Sequence, residues 1–224
     1  MATLNTPNGD GGLRVTVNEF GGFGSSSSGG SNAFYNPLGE RGEAGTVFNS
    51  GVAIRFGQER NRQFLTDLQG AQFTQQNSTS ADSTFRFRDL NFTLNQTVAE
   101  LRVGEARGGS TLIQTYNITN SGNSPLSFDL VRYMDGDLQF DGSISDAGGY
   151  LIRDGQEILF ETDSGDNPLF ATSFVGLTAT GGSVELPGRF EVDSYSGLRS
   201  RIISGVALDD AIAGDGPDAD LFID

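Results

Sequence analysis

Four aspartates near the middle of the chain have the residue type and spacing that a hard cation needs. They follow a stretch of strand-like alternation and are interleaved with glycine, as in Asp-Gly-Asp at 135–137. Ca²⁺ takes about six to eight oxygen ligands, and carboxylates in a glycine-containing loop can wrap around it. The residues predicted to bind a metal ion are Asp135, Asp137, Asp141 and Asp146.

The spacing of this loop differs from that of an EF-hand calcium loop. Gln139 stands where a third acidic ligand would be, and Asp146 stands where an EF-hand has its closing Glu. Two interpretations therefore fit the loop: a calcium site of another type, or an ordinary solvated turn. Calcium is the expected cofactor under the first interpretation, and none is expected under the second.

The side chains that carry most enzymatic nucleophiles and bases are missing from the sequence. It contains no His and no Cys, and all 14 of its basic residues are Arg. Ser–His pairs, Cys–His pairs and Lys Schiff bases are therefore excluded. Carboxylate chemistry of the glycosidase type remains, but no Asp/Glu pair stands out, and the chain has no Trp to stack on a sugar. We predict that the protein is not an enzyme and has no catalytic residues.

The charge of the chain restricts its partners. Its formal net charge is −15, and a surface of that sign repels nucleic acid and anionic membranes. No apolar run approaches the roughly 20 residues of a membrane span. The first residues lack the basic and apolar regions of a secretory signal peptide. We expect neither a nucleic-acid partner nor membrane insertion, and an exported form would use another route.

Alternating apolar and polar residues indicate that β-strands position the acidic loop. Leu112, Tyr116 and Ile118 share one side of a strand, and 126–130 repeats the pattern after a turn at 120–125. We predict that these two strands form the central hairpin, and that 199–208 forms a closing strand. No window has the period of a helix. The predicted fold class is all-β, an antiparallel β-sandwich of jelly-roll or Ig-like type with little or no helix.

The composition predicts three segments along the chain. Residues 1–32 comprise a strand, with Leu13, Val15 and Val17 on one face, and a Gly/Ser-rich run. Residues 33–208 are predicted to form a single β-sandwich domain, and 209–224 an acidic C-terminal tail. The Gly/Ser-rich run is either a surface loop or a tether. A tether would allow the first strand to complete the sheet of a neighbouring subunit.

Two stretches resemble known families. Residues 116–123, YNITNSGN, resemble the strand and turn of Ig-like repeat modules in bacterial surface proteins. Residues 214–224, GDGPDADLFID, are similar to the ends of proteins exported by type I secretion, which carry Gly/Asp-rich calcium-binding segments. The nonapeptide calcium repeats of those proteins are absent from this chain. The resemblance implies an extracellular location without a signal peptide, and it implies no catalytic residues.

These observations together predict a secreted, non-enzymatic structural protein at the cell surface or outside the cell. It would be a subunit of a filament, sheath or surface layer, assembled without covalent bonds by β-strand pairing or strand donation, so its main partner is itself. A calcium-dependent carbohydrate-binding or adhesion module, with a polysaccharide partner, is the alternative. A virion structural protein is a further alternative. The predicted assembly interface comprises Leu13, Val15, Val17, Leu221, Phe222 and Ile223.

Overall fold

The computed structural model divides the chain into two compact units. It describes residues 1–24, 30–39, 42–140, 142, 146–153, 155–163, 173–180 and 189–212, together with the backbone of 219–223. Unit 1 comprises Met1–Val52 and Phe64–Ser127, and unit 2 comprises Ala53–Gln63 and Phe128–Asp224. The range 33–208, predicted to be a single domain, contains parts of both units, and residues 2–17 of the predicted N-terminal segment include strands of unit 1.

Strands dominate both units, and nearly all of their pairings are antiparallel, so the predicted all-β antiparallel class is confirmed. In the longest strands of unit 1 the reason is local: buried and less buried residues alternate, as they do over Leu90–Val98. A period of two residues buries one face of a strand and leaves the other in water. Among the described residues, 191–192 and 211–212 form a short parallel pair.

Unit 1 contains two four-stranded sheets. The first has the order β1-β2-β3-β4, with the bounds β1 Ala2–Asn5, β2 Gly12–Val17, β3 Ala33–Asn36 and β4 Ala44–Gly45. The second has the order β10-β9-β8-β7, with the bounds β7 Gln72–Gln75, β8 Ser80–Phe87, β9 Leu90–Val103 and β10 Ala106–Asn120. A short 3₁₀ helix, Leu65–Asp67, precedes β7.

The core of unit 1 lies between these two sheets. Strand β1 contacts β8 and β9, and β2 contacts β10. Phe20, which follows β2, meets the ring of Phe85 edge-on at 5.1 Å, and Phe85 stacks on Phe92 at 4.7 Å. Such aromatic pairs add specific geometry to the burial of apolar area. The other fully buried side chains of this core include Leu4, Val17, Leu90 and Leu94.

The long hairpin of unit 1 joins β9 to β10, which differs from the expected pairing of β10 with 126–130. The register runs from Ala106 opposite Val103 to Asn120 opposite Leu90. Gly104 has a φ of +64° at the first of the two turn residues, where a type II′ hairpin turn needs glycine. The chain after Asn120 enters unit 2 instead of turning back. The tight turn that fixes the hairpin is therefore at Gly104 and not at 120–125.

The described residues of unit 2 form a six-stranded sheet, a three-stranded sheet and one α-helix. The large sheet has the order β16-β15-β17-β11-β5-β6, with the bounds β5 Val47–Phe56, β6 Gln63–Phe64, β11 Phe128–Gly136, β15 Phe190–Ser194, β16 Ala211–Ile212 and β17 Ala219–Ile223. Along the chain, β5 begins in unit 1 and ends in unit 2. The small sheet has the order β12-β13-β14, with the bounds β12 Ala147–Arg153, β13 Gln156–Thr162 and β14 Phe174–Leu177.

The helix of unit 2, α1, spans Tyr195–Ile203, so the closing strand expected at 199–208 is wrong. Two isoleucines in a row indicate a strand, but Leu198 and Ile202 are four residues apart and both are fully buried. That spacing places both on one face of a helix, and the tertiary contact decides between the two interpretations. Within the part of the chain that is described, no helix has the length and apolar character of a membrane span.

Candidate functional site

The aspartates predicted to bind a cation are distributed around the end of β11. Asp135 is the buried penultimate residue of β11, and Asp137 follows the strand with its side chain half-buried. Asp146 is 1 % exposed and directly precedes β12. Asp141 lies outside the described residues. Two of the four are thus buried in unit 2 rather than held in a solvated turn.

Asp146 has a structural contact that links its strand to β11. Its Oδ2 accepts a hydrogen bond of 2.9 Å from the backbone N–H of Leu138, and both groups are buried. A carboxylate that accepts a backbone hydrogen bond makes one of the stronger contacts of this kind. This contact holds the chain after β11 against the start of β12.

Two further carboxylates lie beside Asp146, on strand β13 and just after it. Ala147 is opposite Thr162 and Gly148 is opposite Glu161 in the β12–β13 ladder, so Asp146 and Asp163 occupy the next positions of the same register. Residues two apart on a strand share a face, which places Glu161 and Asp163 on one side of the hairpin. Glu161 is fully buried and Asp163 is 6 % exposed.

A glycine makes room for the Glu161 carboxylate. A Cβ added to Gly136, the last residue of β11, would overlap Oε2 of Glu161. The Glu161 carboxylate therefore packs against the backbone of Gly136, in the space that a side chain would fill. By strand alternation, Asp135 points to the opposite face of β11 from Gly136. The structure therefore brings Glu161, Asp146 and Asp163 toward one end of β11, whereas Asp135 belongs to its other face.

The prediction of a calcium site is not tested by this arrangement. Among the described residues, no group of three or more Asp, Glu, His or Cys side chains is placed so that it could hold a metal ion. The sequence missed Glu161 as a member of the acidic group because an exposed and a buried Glu look alike in a strand. The available signal was the Glu-x-Asp spacing at 161–163, which places two acids on one face.

The buried positive charge of unit 2 belongs to Arg62. Its side chain is 1 % exposed, Nη2 lies 3.1 Å from Oδ2 of Asp129, and Nη1 donates to the carbonyls of Ile202 and Val206. Arg55 contacts the same Asp129 oxygen at 2.6 Å. The Ile202 carbonyl lies in the last turn of α1, where a helix leaves acceptors without intrahelical donors, and Val206 follows three residues after the helix. Arg62 therefore caps the helix, which is a structural role.

A second buried ion pair fixes α1 to β15. Nη1 of Arg201 lies 2.6 Å from Oε1 of Glu191, and Glu191 is 2 % exposed. Burial raises the pKa of the Glu191 carboxyl above its ordinary value, and the charge of Arg201 opposes that shift. Next to the start of β15, hydrogen bonds from the exposed Arg189 lower the pKa of Asp210.

The predicted assembly residues lie in strands with neighbours on both sides. Strand β2 is the second strand of its sheet, between β1 and β3, and Val15 and Val17 are fully buried there while Leu13 is half-buried. Strand β17, which contains Leu221, Phe222 and Ile223, lies between β15 and β11. Only the backbone of these last three residues is described. Both segments are thus inserted into sheets of their own chain.

The strands that end the sheets differ greatly in length. Most terminal strands have two to seven residues: β1, β4, β6, β7, β12, β14 and β16. Strand β10 ends the second sheet of unit 1 and has 15 residues. A terminal strand presents backbone donors and acceptors along its outer side, and a long one is a template for pairing with another chain.

A cavity in unit 1 offers little room for a ligand. Its volume is about 130 Å³, and Thr6, Asn36 and the Arg14–Glu43 ion pair contribute to its lining. Ligand pockets usually begin near 300 Å³.

Comparison of the chain with known protein families, with curated proteins and with solved structures found no match to any of them. Function is therefore inferred from the arrangement of strands and charges.

Proposed function

We propose that the protein is a secreted, non-enzymatic structural subunit that assembles into a filament, sheath or surface layer by non-covalent β-strand pairing. The position of β17 carries the proposal. It pairs antiparallel with β11 from Asp220 to Ile223 and with β15 from Ala219 to Ile223. Without β17, the β11 and β15 strands would be separated by the width of one strand.

A strand in this position can be exchanged between copies at low cost. The same segment from a second copy would make the same hydrogen bonds with β11 and β15, so the two arrangements differ chiefly in chain entropy and concentration. Strand addition of this kind gains affinity from main-chain hydrogen bonds. If each copy donates its β17 to the next copy, the result is a linear polymer of subunits.

The absence of covalent staples is compatible with this mechanism. The chain has no Cys for a disulfide and no Lys for an isopeptide bond, so subunits would be held by strand pairing alone. An extracellular location is the setting we propose, on the resemblance of residues 214–224 to proteins exported by type I secretion. The carbohydrate-binding and virion alternatives remain predictions of the sequence.

A cysteine pair tests the exchange directly, because the natural chain has no Cys. Met134 is opposite Leu221 in the β11–β17 ladder, and opposite residues of an antiparallel pair are close enough for a disulfide. We expect the Met134→Cys, Leu221→Cys variant to form disulfide-linked multimers, whose fraction on non-reducing gels rises with protein concentration at the time of oxidation. Light scattering should show the wild-type mass rising over the same range.

A matched pair in unit 1 provides the control. Thr84 and Thr93 are opposite and exposed on β8 and β9, which are joined by a two-residue connection, so Thr84→Cys, Thr93→Cys should form a bond within one chain at every concentration. A wild-type protein that stays monomeric throughout, with only intrachain bonds in both variants, would overturn the proposed function.

A further inference from the structure

Strand β10 is long, terminal and free of charge over most of its length. Residues 108–120, GGSTLIQTYNITN, contain no charged residue and no Pro, although the chain carries a net charge of −15. The segment is rich in Thr, Ile and Tyr, which favour strands. Natural proteins protect long terminal strands with charges, Pro or bulges. In β10 the one irregularity, between Arg107 and Gly109, lies at the start and leaves 109–120 regular.

The inner face of β10 is fixed in place by three side chains. The hydroxyl of Ser110 donates to the carbonyl of Gly11, Nε2 of Gln114 donates to that of Gly21, and the hydroxyl of Tyr116 donates to that of Phe20, the last two at 2.9 Å. The strand is therefore anchored along its length. A preorganised strand loses little conformational entropy when a second strand pairs with it.

The outer face of β10 is exposed and neutral. Thr115, Asn117 and Thr119 are exposed, and Ile113 is 50 % exposed. Two copies of an acidic protein repel each other in most orientations. Two copies can approach with the least repulsion through the neutral face of β10. When the same face of both copies forms the contact, the two copies are related by a two-fold axis.

We infer that β10 pairs antiparallel with β10 of a second copy, centred on Gln114, so that two four-stranded sheets join into one of eight strands. Gln114 is the midpoint of 108–120, and this register places uncharged residues opposite each other throughout. Ile113 of one copy then lies opposite Thr115 of the other. This inference rests on the proposed self-assembly and adds a second contact between subunits. The β10 contact forms a closed dimer, and exchange of β17 between dimers can link them into a longer array.

Charge substitutions on the exposed face of β10 test this contact in the full-length protein. In a dimer with this register, Ile113→Lys places two like charges on diagonal neighbours, and Thr115→Glu does the same with acidic groups. We expect each variant to raise the dimer dissociation constant about tenfold in sedimentation experiments. An equimolar mixture of the two variants should recover association, because the ammonium introduced at position 113 of one chain would then face the carboxylate introduced at position 115 of the other.

The matched control is Thr93→Lys, which adds the same charge to the same face on the interior strand β9. Its dissociation constant should stay within about twofold of wild type. Circular dichroism establishes that all variants keep their strand content. Wild-type association that is unchanged by both β10 substitutions, or a mixture that fails to recover, would overturn the β10 contact. In that case the Met134→Cys, Leu221→Cys variant would still form disulfide-linked multimers. The proposed function would then stand without the β10 contact.

Discussion

The two units bury different kinds of polar side chain. Among the described residues of unit 1, the buried polar side chains are uncharged: Thr6, Thr46, Ser50, Ser83 and Gln96. The described part of unit 2 buries Thr162 and Ser173 together with six charged residues: Arg62, Asp135, Asp146, Glu161, Asp163 and Glu191. Both units use the same strand chemistry and antiparallel ladders. The two units therefore differ in the charge of their buried polar side chains.

Buried polar side chains of unit 1 form hydrogen bonds with backbone carbonyls that are distant in sequence. Ser83 donates to the carbonyl of Glu19 at 2.7 Å, and Gln96 donates to that of Asn18 at 2.8 Å. Neutral groups with one good partner cost little to bury. Five of the six buried charges of unit 2 are acidic, and buried charge is stable only with partners, protons or ions. Unit 2 should therefore be the unit that is more sensitive to the removal of a charged partner.

The largest effect is expected when the buried cation of unit 2 is removed. Arg62→Met would remove the side-chain donor from the carbonyls of Val206 and Ile202, of which Ile202 also accepts from the Gly205 N–H, and would leave Asp129 paired with Arg55. We expect a loss of about 3 kcal/mol in the free energy of unfolding, because breaking a buried charge pair leaves uncompensated groups. Hydrogen exchange read by mass spectrometry should place the loss in unit 2.

The control for Arg62 is Arg86→Met, which removes an Arg whose side chain is 62 % exposed and pairs with Asp89. Surface pairs contribute about 0–1 kcal/mol, so exchange protection should change little in either unit. Equal losses from both substitutions would show that burial of Arg62 is not what matters, and would weaken the contrast between the units.

A smaller effect is expected from a neutral buried group of unit 1. Gln96→Leu removes the donor to the Asn18 carbonyl and the acceptor of the Gln114 side chain, which lies 2.7 Å away. We expect a loss of about 1–3 kcal/mol, the usual cost of leaving buried partners unsatisfied, with exchange protection falling in unit 1. Asn91→Leu, at an exposed position of the same strand, should be close to neutral, and a comparable loss there would contradict this account.

The smallest effect is a pH dependence with opposite signs at two carboxyls of unit 2. The folded pKa of Glu191 is raised, so its contribution to stability is present at low pH and falls as the pH rises above about 4.3 through the folded pKa. The folded pKa of Asp210 is lowered, so its contribution is present above about 3.9 and is lost as the pH falls.

Urea unfolding at a series of pH values separates the two carboxyls. Relative to wild type, Glu191→Gln should gain stability as the pH rises through the range in which Glu191 titrates. Asp210→Asn should lose stability over the range in which Asp210 ionises, by a small amount because Asp210 is exposed and screened by solvent. Parallel curves for the three proteins would mean that neither carboxyl titrates differently in the folded state.

The predicted parts of the fold are those that depend on local pattern. Alternation over 110–120 correctly indicated a strand, and the same pattern over 126–130 correctly indicated β11 from Phe128 onward. Their mutual pairing was wrong because the Gly104 turn takes β10 to β9 first. The calcium-binding role predicted for Asp146 stays a prediction, and the burial of Glu161 depends on Gly136, a residue distant in sequence.

The amino-acid sequence alone determined the strand-forming period, the acidic charge and the lack of His, Cys and Lys, because these are properties of single residues and their near neighbours. The tertiary structure decided which strands end a sheet and which are enclosed. Strand β17 is enclosed by β11 and β15, and β10 ends its sheet, because pairing joins segments far apart in the chain. No local pattern carries that information, since terminal and interior strands obey the same alternation.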